Sequence, residues 1–161
     1  MGGLRAWIGL GGNLGDVRGA LAFSRAGLRD LSEAPLVCSG VYESEPWGAP
    51  DQPPFLNQVV GLVPRLGPRE TLDALHALED ACGRTREERW GARTLDLDLL
   101  SWPTAVQSPG VHLPHPRLHQ RRFVLVPWAE VAQEVCVVGL GRTVAELLEA
   151  CGDTSSVSRL P

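Results

Sequence analysis

The apolar residues of this chain follow two kinds of spacing. Apolar runs and strict apolar–polar alternation predict β-strands, whereas apolar residues three or four positions apart predict amphipathic helices. The segments with the strand pattern are 4–10, 36–43, 55–63, 94–100 and 135–138. The segments with the helical pattern are 17–31, 68–82 and 143–150.

Local sequence signals support two of the helices, and two other segments have less regular patterns. Pro68 stands where the second helix should begin. Thr143 and Glu146 have the spacing of a capping box. Segment 122–132 is apolar, and we predict a mixture of strand and turn there. We expect the tail, residues 154–161, to be frayed.

The order of the core elements predicts the fold class. Strand, helix, strand, strand, helix, strand is the split βαβ pattern, βαββαβ, of ferredoxin-like α+β folds. A length of 161 residues suits one domain, which we place at 1–161. We therefore expect an antiparallel sheet with helices on one face and the active site on the other.

The stretch "RTLDLDLL" gives the fourth core strand an unusual polar face. Side chains alternate between the faces of a strand, so Leu95, Leu97 and Leu99 point one way. Asp96 and Asp98 point the other way, with Cα atoms roughly 7 Å apart. Aspartate is depleted in strands, and close like charges repel. The pair is either a site for a divalent cation such as Mg²⁺ or an exposed face that happens to be acidic.

Charge narrows the function classes. The net charge of −4 argues against a general nucleic-acid binder. All fifteen basic residues are arginine, which excludes a P-loop lysine and a Schiff-base lysine. Seven of them flank the acidic strand: Arg84, Arg86, Arg89, Arg93, Arg117, Arg121 and Arg122. These arginines either form surface salt bridges or bind a polyphosphate through bidentate hydrogen bonds from their guanidinium groups.

The cysteines and the hydropathy argue against other classes. Cys38, Cys82, Cys136 and Cys151 form no CxxC pair, so a zinc site is not expected. Scattered thiols fit a reducing cytosol. No apolar run approaches the roughly 20 residues of a membrane span. We expect a cytoplasmic protein that binds neither a membrane nor nucleic acid.

Three further segments carry candidate chemistry. Phe55 and Asn57 share a strand face, close in sequence to Trp47, and an aromatic with a carboxamide can hold a flat heterocycle. The alternative is a core phenylalanine beside a turn-supporting asparagine. His115 lies between two prolines. It is either a hydrogen-bond donor to a phosphate oxygen or a structural residue. "GLGGNLGD" (9–16) lacks the GxGxxG spacing of dinucleotide loops and is interpreted as a turn.

Four segments, in order, resemble the signatures of the 6-hydroxymethyl-7,8-dihydropterin pyrophosphokinases. They are "GLGGNLGD", "YESEPWGAPDQPPFLNQVV", "GRTREERWGARTLDLDLL" and "LPHPRLHQRRFVLVPWAEVA". That family of the folate pathway moves a pyrophosphoryl group from ATP to a pterin alcohol and releases AMP. The resemblance also implies the ferredoxin-like fold that the element order predicts.

The resemblance implies a role for each matched residue on the nucleotide side. Asp96 and Asp98 would hold two Mg²⁺ ions that bridge the ATP phosphates. The residues that would contact ATP or its phosphates are Arg84, Arg93, Arg86, His115, Arg121, Trp90 and Leu99. Among these, Arg84 and Arg93 would stabilise the transferring group, and Leu99 would lie beside adenine. Residues 84–92 would form a lid that orders when both ligands bind.

The resemblance also implies a pterin pocket. Phe55 and Phe123 would sandwich the pterin, and Asn57 would contact its amide-like edge. The pocket would be lined by Ser44, Pro46, Trp47 and Gly48.

The chain departs from the family pattern at Gly12, Ala92 and Pro116, where serine, proline and an aromatic residue are frequent. We expect a monomer. Two alternatives are a ferredoxin-like binding module that uses its arginine loop and a metal-dependent hydrolase that uses the two carboxylates.

Overall fold

An antiparallel sheet forms the centre of the fold. The computed structural model describes residues 4–46, 51–83 and 94–161. Within these ranges the sheet has six strands. They are β1 (Ala6–Gly12), β2 (Val37–Cys38), β3 (Tyr42–Ser44), β4 (Phe55–Leu62), β5 (Asp96–Ser101) and β10 (Val157–Arg159). The strand order is β10-β3-β4-β1-β5, and β2 also pairs with β4.

Helices and two short hairpins complete the described part of the chain. The helices are α1 (Val17–Asp30), α2 (Pro68–Ala81), α3 (Arg122–Ala132) and α4 (Val144–Glu149), with a 3₁₀ turn at Leu118–Gln120. The hairpins pair β6 (Val106–Ser108) with β7 (Val111–Leu113), and β8 (Cys136–Val137) with β9 (Arg142–Thr143). Among the described residues, the helices are too short or too polar to traverse a lipid bilayer.

The first face of the sheet packs against α1 and α2. Its apolar residues alternate along the strands, and the core they form is fully buried. It includes Ile8, Leu10, Val60, Leu62, Leu97 and Leu99 from the strands, and Leu21, Leu28 and Leu75 from the helices. As predicted, Leu95, Leu97 and Leu99 of "RTLDLDLL" share one face, and this face packs against the helices. The helices 17–31 and 68–82 are also confirmed, to within one residue.

The second face of the sheet is covered over only one half of its length. Trp7, Val59 and Leu100 pack there against Leu125 and Trp128 of α3. The rings of Trp7 and Trp128 lie 6.0 Å apart, centre to centre. Helix α4 joins the same cluster. The other half of this face carries the aspartates of β5.

The prediction of strand and turn for 122–132 is wrong, because this segment is helix α3. Val124, Trp128 and Ala132 repeat every four residues, and all three are buried. Pro127 sits inside the helix and removes one backbone donor. Burial of the apolar side against Trp7 and Leu100 outweighs this loss.

The predicted strand 36–43 is interrupted. Between β2 and β3, the Ser39 hydroxyl accepts a hydrogen bond from Val59 N (2.9 Å), and Ser39 N donates to Val59 O (2.9 Å). A side chain thus replaces one bond of the strand ladder. The capping box at Thr143 and Glu146 is confirmed.

The prediction of a frayed tail is also wrong. Val157 and Arg159 pair with Ser44 and Tyr42, so the tail becomes the edge strand β10. A three-residue strand has too little alternation to be recognised from sequence. Its stability comes from a partner strand that lies more than 100 positions earlier.

We predict that Trp128→Ala destabilises the protein by about 3–5 kcal/mol, because it leaves a cavity against Trp7 in a fully buried cluster. Phe23→Ala is the matched control, since Phe23 is 44% exposed, and we expect a change within about 0.5 kcal/mol. Urea unfolding measures both values. Equal losses in the two variants would contradict the assignment of α3 to the core.

Candidate active site

In three adjacent strands, two glycines of β1 lie between the aspartates of β5 and Asn57 of β4. On β1, Gly9 pairs with Asp98 of β5, and Gly11 pairs with Asp96. On its other side, Gly11 pairs with Asn57 of β4. Directly paired residues of an antiparallel sheet share a face. The glycines therefore leave the space between the aspartates and Asn57 open.

The aspartates are half-buried, and Arg121 approaches one of them. Its Nη1 donates to Asp98 Oδ2 at 3.4 Å, and its guanidinium carbon lies 5.8 Å from the centre of the Phe123 ring. Arg121 thus links the carboxylates to the start of α3.

Two cavities lined by described residues meet at this acidic pair. The first, of about 500 Å³, lies on the side of α2 and the β6–β7 hairpin. The second, of about 310 Å³, lies on the side of β3, β4 and α3. Asp96, Asp98 and Arg121 line both. A molecule in either cavity can therefore reach the same two carboxylates.

The second cavity combines aromatic rings with an oriented amide. It is lined by Phe55, Phe123, Asn57 and Ser44, among others. Asn57 is 5% exposed, and its Nδ2 donates to Ser44 Oγ at 2.7 Å. A Cβ at Gly11 would lie only 3.1 Å from Asn57 Oδ1. The absence of a side chain at Gly11 thus gives the amide oxygen its room.

The first cavity contains an apolar patch and a histidine. Leu72 and Leu99 supply the patch, and His115 lines the wall nearer to the aspartates. His115 Nδ1 accepts a hydrogen bond from Arg117 N at 3.1 Å. A neutral ring with an accepting Nδ1 carries its proton on Nε2, so Nε2–H is available as a donor.

Electrostatics keep this histidine neutral. Burial lowers the pKa of His115 to about 4, with further lowering by Arg121 and Arg117, while Asp96 opposes the shift. The ring is therefore uncharged throughout the neutral pH range.

The chemistry of the acidic pair suits a hard cation that brings other oxygen ligands. Among the described residues, no group of three or more His, Cys, Asp or Glu side chains is placed to hold a metal ion. Two carboxylates are too few for a complete protein site, but Mg²⁺ commonly binds one or two carboxylates together with substrate phosphates. The donor set fits Mg²⁺ with a phosphate ligand.

The structure brings together most of the predicted site residues that it describes. Asp96, Asp98, Leu99, His115 and Arg121 line the first cavity. Ser44, Phe55, Asn57 and Phe123 line the second. Pro46 is described but lines neither cavity, whereas its neighbour Glu45 lines the second. Six predicted residues and the predicted lid lie outside the described residues: Arg84, Arg86, Trp90, Arg93, Trp47, Gly48 and the range 84–92.

Sequence reasoning missed two residues that support the site. Asn13 is buried, and its Nδ2 donates to Pro53 O (3.0 Å) and Gln52 Oε1 (3.3 Å). It therefore ties the turn after β1 to the segment that leads into Phe55. Its only sequence signal is the asparagine in "GLGGNLGD", a pattern that by itself predicts no more than a turn.

Glu79 is the second residue that was missed. It is 1% exposed, and its Oε2 accepts from Leu97 N at 2.8 Å. Leu97 lies between the two aspartates, so Glu79 fixes the backbone that carries them. Its signal was a carboxylate on the apolar side of a helix, seven positions after Leu72 and four after Leu75.

Two cavities that share an acidic pair are typical of an enzyme that brings two substrates together. A family model described as 7,8-dihydro-6-hydroxymethylpterin-pyrophosphokinase (HPPK) matches residues 7–133. A relative from Pseudomonas aeruginosa, named 2-amino-4-hydroxy-6-hydroxymethyldihydropteridine pyrophosphokinase, is 40% identical over 159 residues, covering 98% of this chain and 97% of the relative. A relative of the same name from Methylorubrum extorquens is 39% identical over 161 residues, covering 97% and 98%. The chain belongs to the HPPK family and is a diphosphotransferase of folate biosynthesis.

Solved structures support the fold. An HPPK-DHPS structure in complex with substrates matches with a TM-score of 0.66 at 10% identity, covering 91% of this chain and 43% of that one. Wild-type Plasmodium falciparum HPPK-DHPS matches with a TM-score of 0.65 at 11% identity, covering 90% and 44%. This chain thus spans less than half the length of those proteins. The likeness confirms the predicted ferredoxin-like α+β class.

We predict that His115 of the ligand-free protein titrates with a midpoint of about 4, which NMR of the ring protons measures. Its ordinary pKa is 6.5, so the unfolded chain binds more protons than the folded one between the two values. Stability should therefore fall as the pH decreases from 6.5 to about 4. His115→Gln should remove this part of the pH dependence. A midpoint near 6.5 would contradict the buried, neutral ring.

Proposed function

We propose that this enzyme transfers a pyrophosphoryl group from ATP to the hydroxymethyl group of 6-hydroxymethyl-7,8-dihydropterin and releases AMP. The observation that carries the proposal is the meeting of two cavities at Asp96 and Asp98. The nucleotide and the pterin would enter from opposite sides, and the transferred group would lie at the carboxylates.

The second cavity suits the pterin. A flat, apolar ring with a polar edge matches Phe55 and Phe123 for stacking and Asn57 for hydrogen bonding. Ser44 accepts from the Asn57 amide nitrogen, which leaves Asn57 Oδ1 to accept from the heterocycle. A buried polar contact of this kind discriminates strongly between ring systems, because a ligand without the matching donor leaves the oxygen unsatisfied.

The first cavity suits ATP. Leu72 and Leu99 offer an apolar surface for adenine, and His115 Nε2–H and Arg121 can donate to phosphate oxygens. Arg121 lines both cavities, so it would lie beside the group that moves. The roles of Arg84, Arg86, Trp90 and Arg93 in ATP binding, and of Trp47, Gly48 and Pro46 in pterin binding, stay predictions from the family resemblance.

Asp96 and Asp98 would hold the magnesium, which we propose to be two ions. Bound Mg²⁺ supplies neutralisation of phosphate charge and a fixed orientation of the phosphate chain. The hydroxymethyl oxygen would attack the β-phosphorus in line and lose its proton to solvent, while the bond from the β-phosphorus to the oxygen that bridges to the α-phosphate breaks and AMP departs with that oxygen. The protein contributes mainly position and charge stabilisation, and we assign no general base.

We further propose that the enzyme acts in the cytoplasm. All four cysteines, which lie within the described ranges, are free thiols. Free thiols are compatible with a reducing compartment. A monomer, without nucleic-acid or membrane partners, stays the expectation from sequence.

The decisive experiment incubates the protein with Mg²⁺, ATP and 6-hydroxymethyl-7,8-dihydropterin and separates the nucleotides. AMP that forms only when the pterin is present supports the proposal. Release of phosphate without pterin would favour a hydrolase instead. No turnover at all would favour a binding module.

We predict that Asp96→Asn and Asp98→Asn each lower kcat by about 100-fold or more, since each removes one charged metal ligand. The fold should persist, because both side chains are half-buried and lie outside the two apolar clusters. Asp30→Asn, at the exposed end of α1, is the matched control. Wild-type activity of either site variant at saturating Mg²⁺ would contradict the metal assignment.

We predict that Phe123→Ala and Asn57→Ala weaken pterin binding by about 1–3 kcal/mol and leave ATP binding nearly unchanged. The first variant loses a stacking surface, and the second loses the polar partner of the ring edge. Calorimetry with each ligand measures the difference, and Phe23→Ala serves as an exposed aromatic control. Equal losses for pterin and ATP would place the pterin elsewhere.

A further inference from the structure

The helix that carries Phe123 lacks a cap of its own. Arg121 occupies the N-cap position of α3, and its side chain makes no capping hydrogen bond to the described first turn. That side chain instead approaches Asp98 and the Phe123 ring. The first turn of α3 also contains no acidic residue. The start of α3 is therefore unprotected by its local sequence.

A carboxylate from the C-terminal segment, residues 151–161, supplies this cap. Arg122 N donates to Asp153 Oδ2 at 3.1 Å, and Ser155 N donates to Asp153 Oδ1 at 2.9 Å. Burial alone would raise the pKa of the Asp153 carboxyl, but the hydrogen bonds from Ser155 and Arg122 lower it. The residue after Arg122 is Phe123, so the cap acts one position from the aromatic wall of the second cavity.

The same segment is anchored again two turns further along α3. Arg159 Nε donates to Glu130 Oε1 at 3.2 Å. Glu130 also accepts from Tyr42 OH at 2.7 Å and from Gly40 N at 3.1 Å. Burial and the hydrogen bond to Glu130 raise the pKa of Tyr42 to about 12, so its hydroxyl stays a donor.

The strand partner of this segment belongs to the opposite wall of the cavity. β10 pairs with β3, and Val157 lies opposite Ser44. Ser44 in turn accepts from the Asn57 amide. The C-terminal segment thus connects the helix that carries Phe123 to the strand that orients Asn57. Its own residues are not among those that line the second cavity.

We propose that the C-terminal segment positions the two walls of the second cavity, and that Asp153 is the positioning residue for Phe123. This inference rests on the proposed function, in which the second cavity takes the pterin. The segment lies beyond residue 133, where the match to the family model ends, although the relative from Pseudomonas aeruginosa aligns over 98% of this chain.

The test compares Asp153→Ala with Asp153→Asn in steady-state kinetics. Loss of a helix cap shifts the equilibrium between an ordered and a frayed first turn by a factor of about five. Because the frayed form does not hold Phe123 in place, Asp153→Ala should raise the KM for pterin by up to about five-fold. The KM for ATP should rise less than the KM for pterin, because α3 reaches the first cavity only through its N-cap residue, Arg121, among the lining residues. Asparagine keeps one acceptor oxygen, so Asp153→Asn can retain the bond from Arg122 N while it loses the bond from Ser155 N, and it should restore part of the pterin KM.

Ser156→Ala is the matched control, since Ser156 is an exposed residue of the same segment. Circular dichroism at the assay temperature verifies that each variant is folded. A rise in pterin KM that exceeds the rise in ATP KM, is largest in Asp153→Ala and is absent in Ser156→Ala supports the inference. Wild-type kinetics, or an equal rise in both KM values, would overturn it. Failure of the wild-type enzyme to form AMP from pterin and ATP would instead overturn the proposed function.

Discussion

The site depends on two like charges held on one face of one strand, roughly 7 Å apart. Like charges on one strand face repel each other, so the fold must impose this arrangement. It does so through the other face, where Leu97 and Leu99 are buried against the helices. A shift of one residue in the register would expose these leucines and bury the aspartates, which burial energy prevents. The charge pattern of the active site is thus fixed by the hydrophobic pattern of the core.

One face of the sheet packs into the hydrophobic core. The other face is half core and half active site. Large side chains, Trp7, Val59 and Leu100, occupy one half of the second face and are covered by α3 and α4. Glycines 9 and 11 and the aspartates occupy the other half, which the cavities reach. The boundary lies at the start of α3, where Arg121 and Phe123 turn toward the site. Arg121 occupies the N-cap position but points toward the site, so it does not cap the helix. The distant carboxylate of Asp153 accepts the hydrogen bond from Arg122 N instead.

The parts predictable from sequence were those with local periodicity. The alternation of leucine and aspartate was enough to assign both faces of β5, and four-residue spacing was enough for α1 and α2. The two-residue separation of Phe55 and Asn57 placed them on the same side of β4. In each case the relevant signal lies within a few residues, because side-chain direction in strands and helices follows from backbone geometry alone.

The parts that were not predictable depend on distant partners. α3 contains Pro127, and proline disfavours a helix interior. The helix is explained by the buried contact of its Trp128 with Trp7. β10 needs β3, and the cap by Asp153 needs the start of α3. Glu79 interrupts the apolar face of α2, and the sequence gives no reason for it. The reason is the hydrogen bond that its carboxylate accepts from Leu97 N. No pattern within a single segment contains these pairings.

The contact between Arg121 and Asp98 shows how such a site can be both stable and ready to change partners. Its distance is 3.4 Å, and the two side chains are 26% and 34% exposed. An ion pair with this length and exposure contributes little to stability. Under the proposed function, Arg121 could therefore leave Asp98 for a phosphate oxygen at small cost, while the carboxylate would bind a metal ion. A tighter, buried pair would hold the empty site more firmly but would oppose both exchanges, since separating such a pair leaves uncompensated charge. A weak ion pair of this kind suits the proposed transfer of a pyrophosphoryl group between the two cavities.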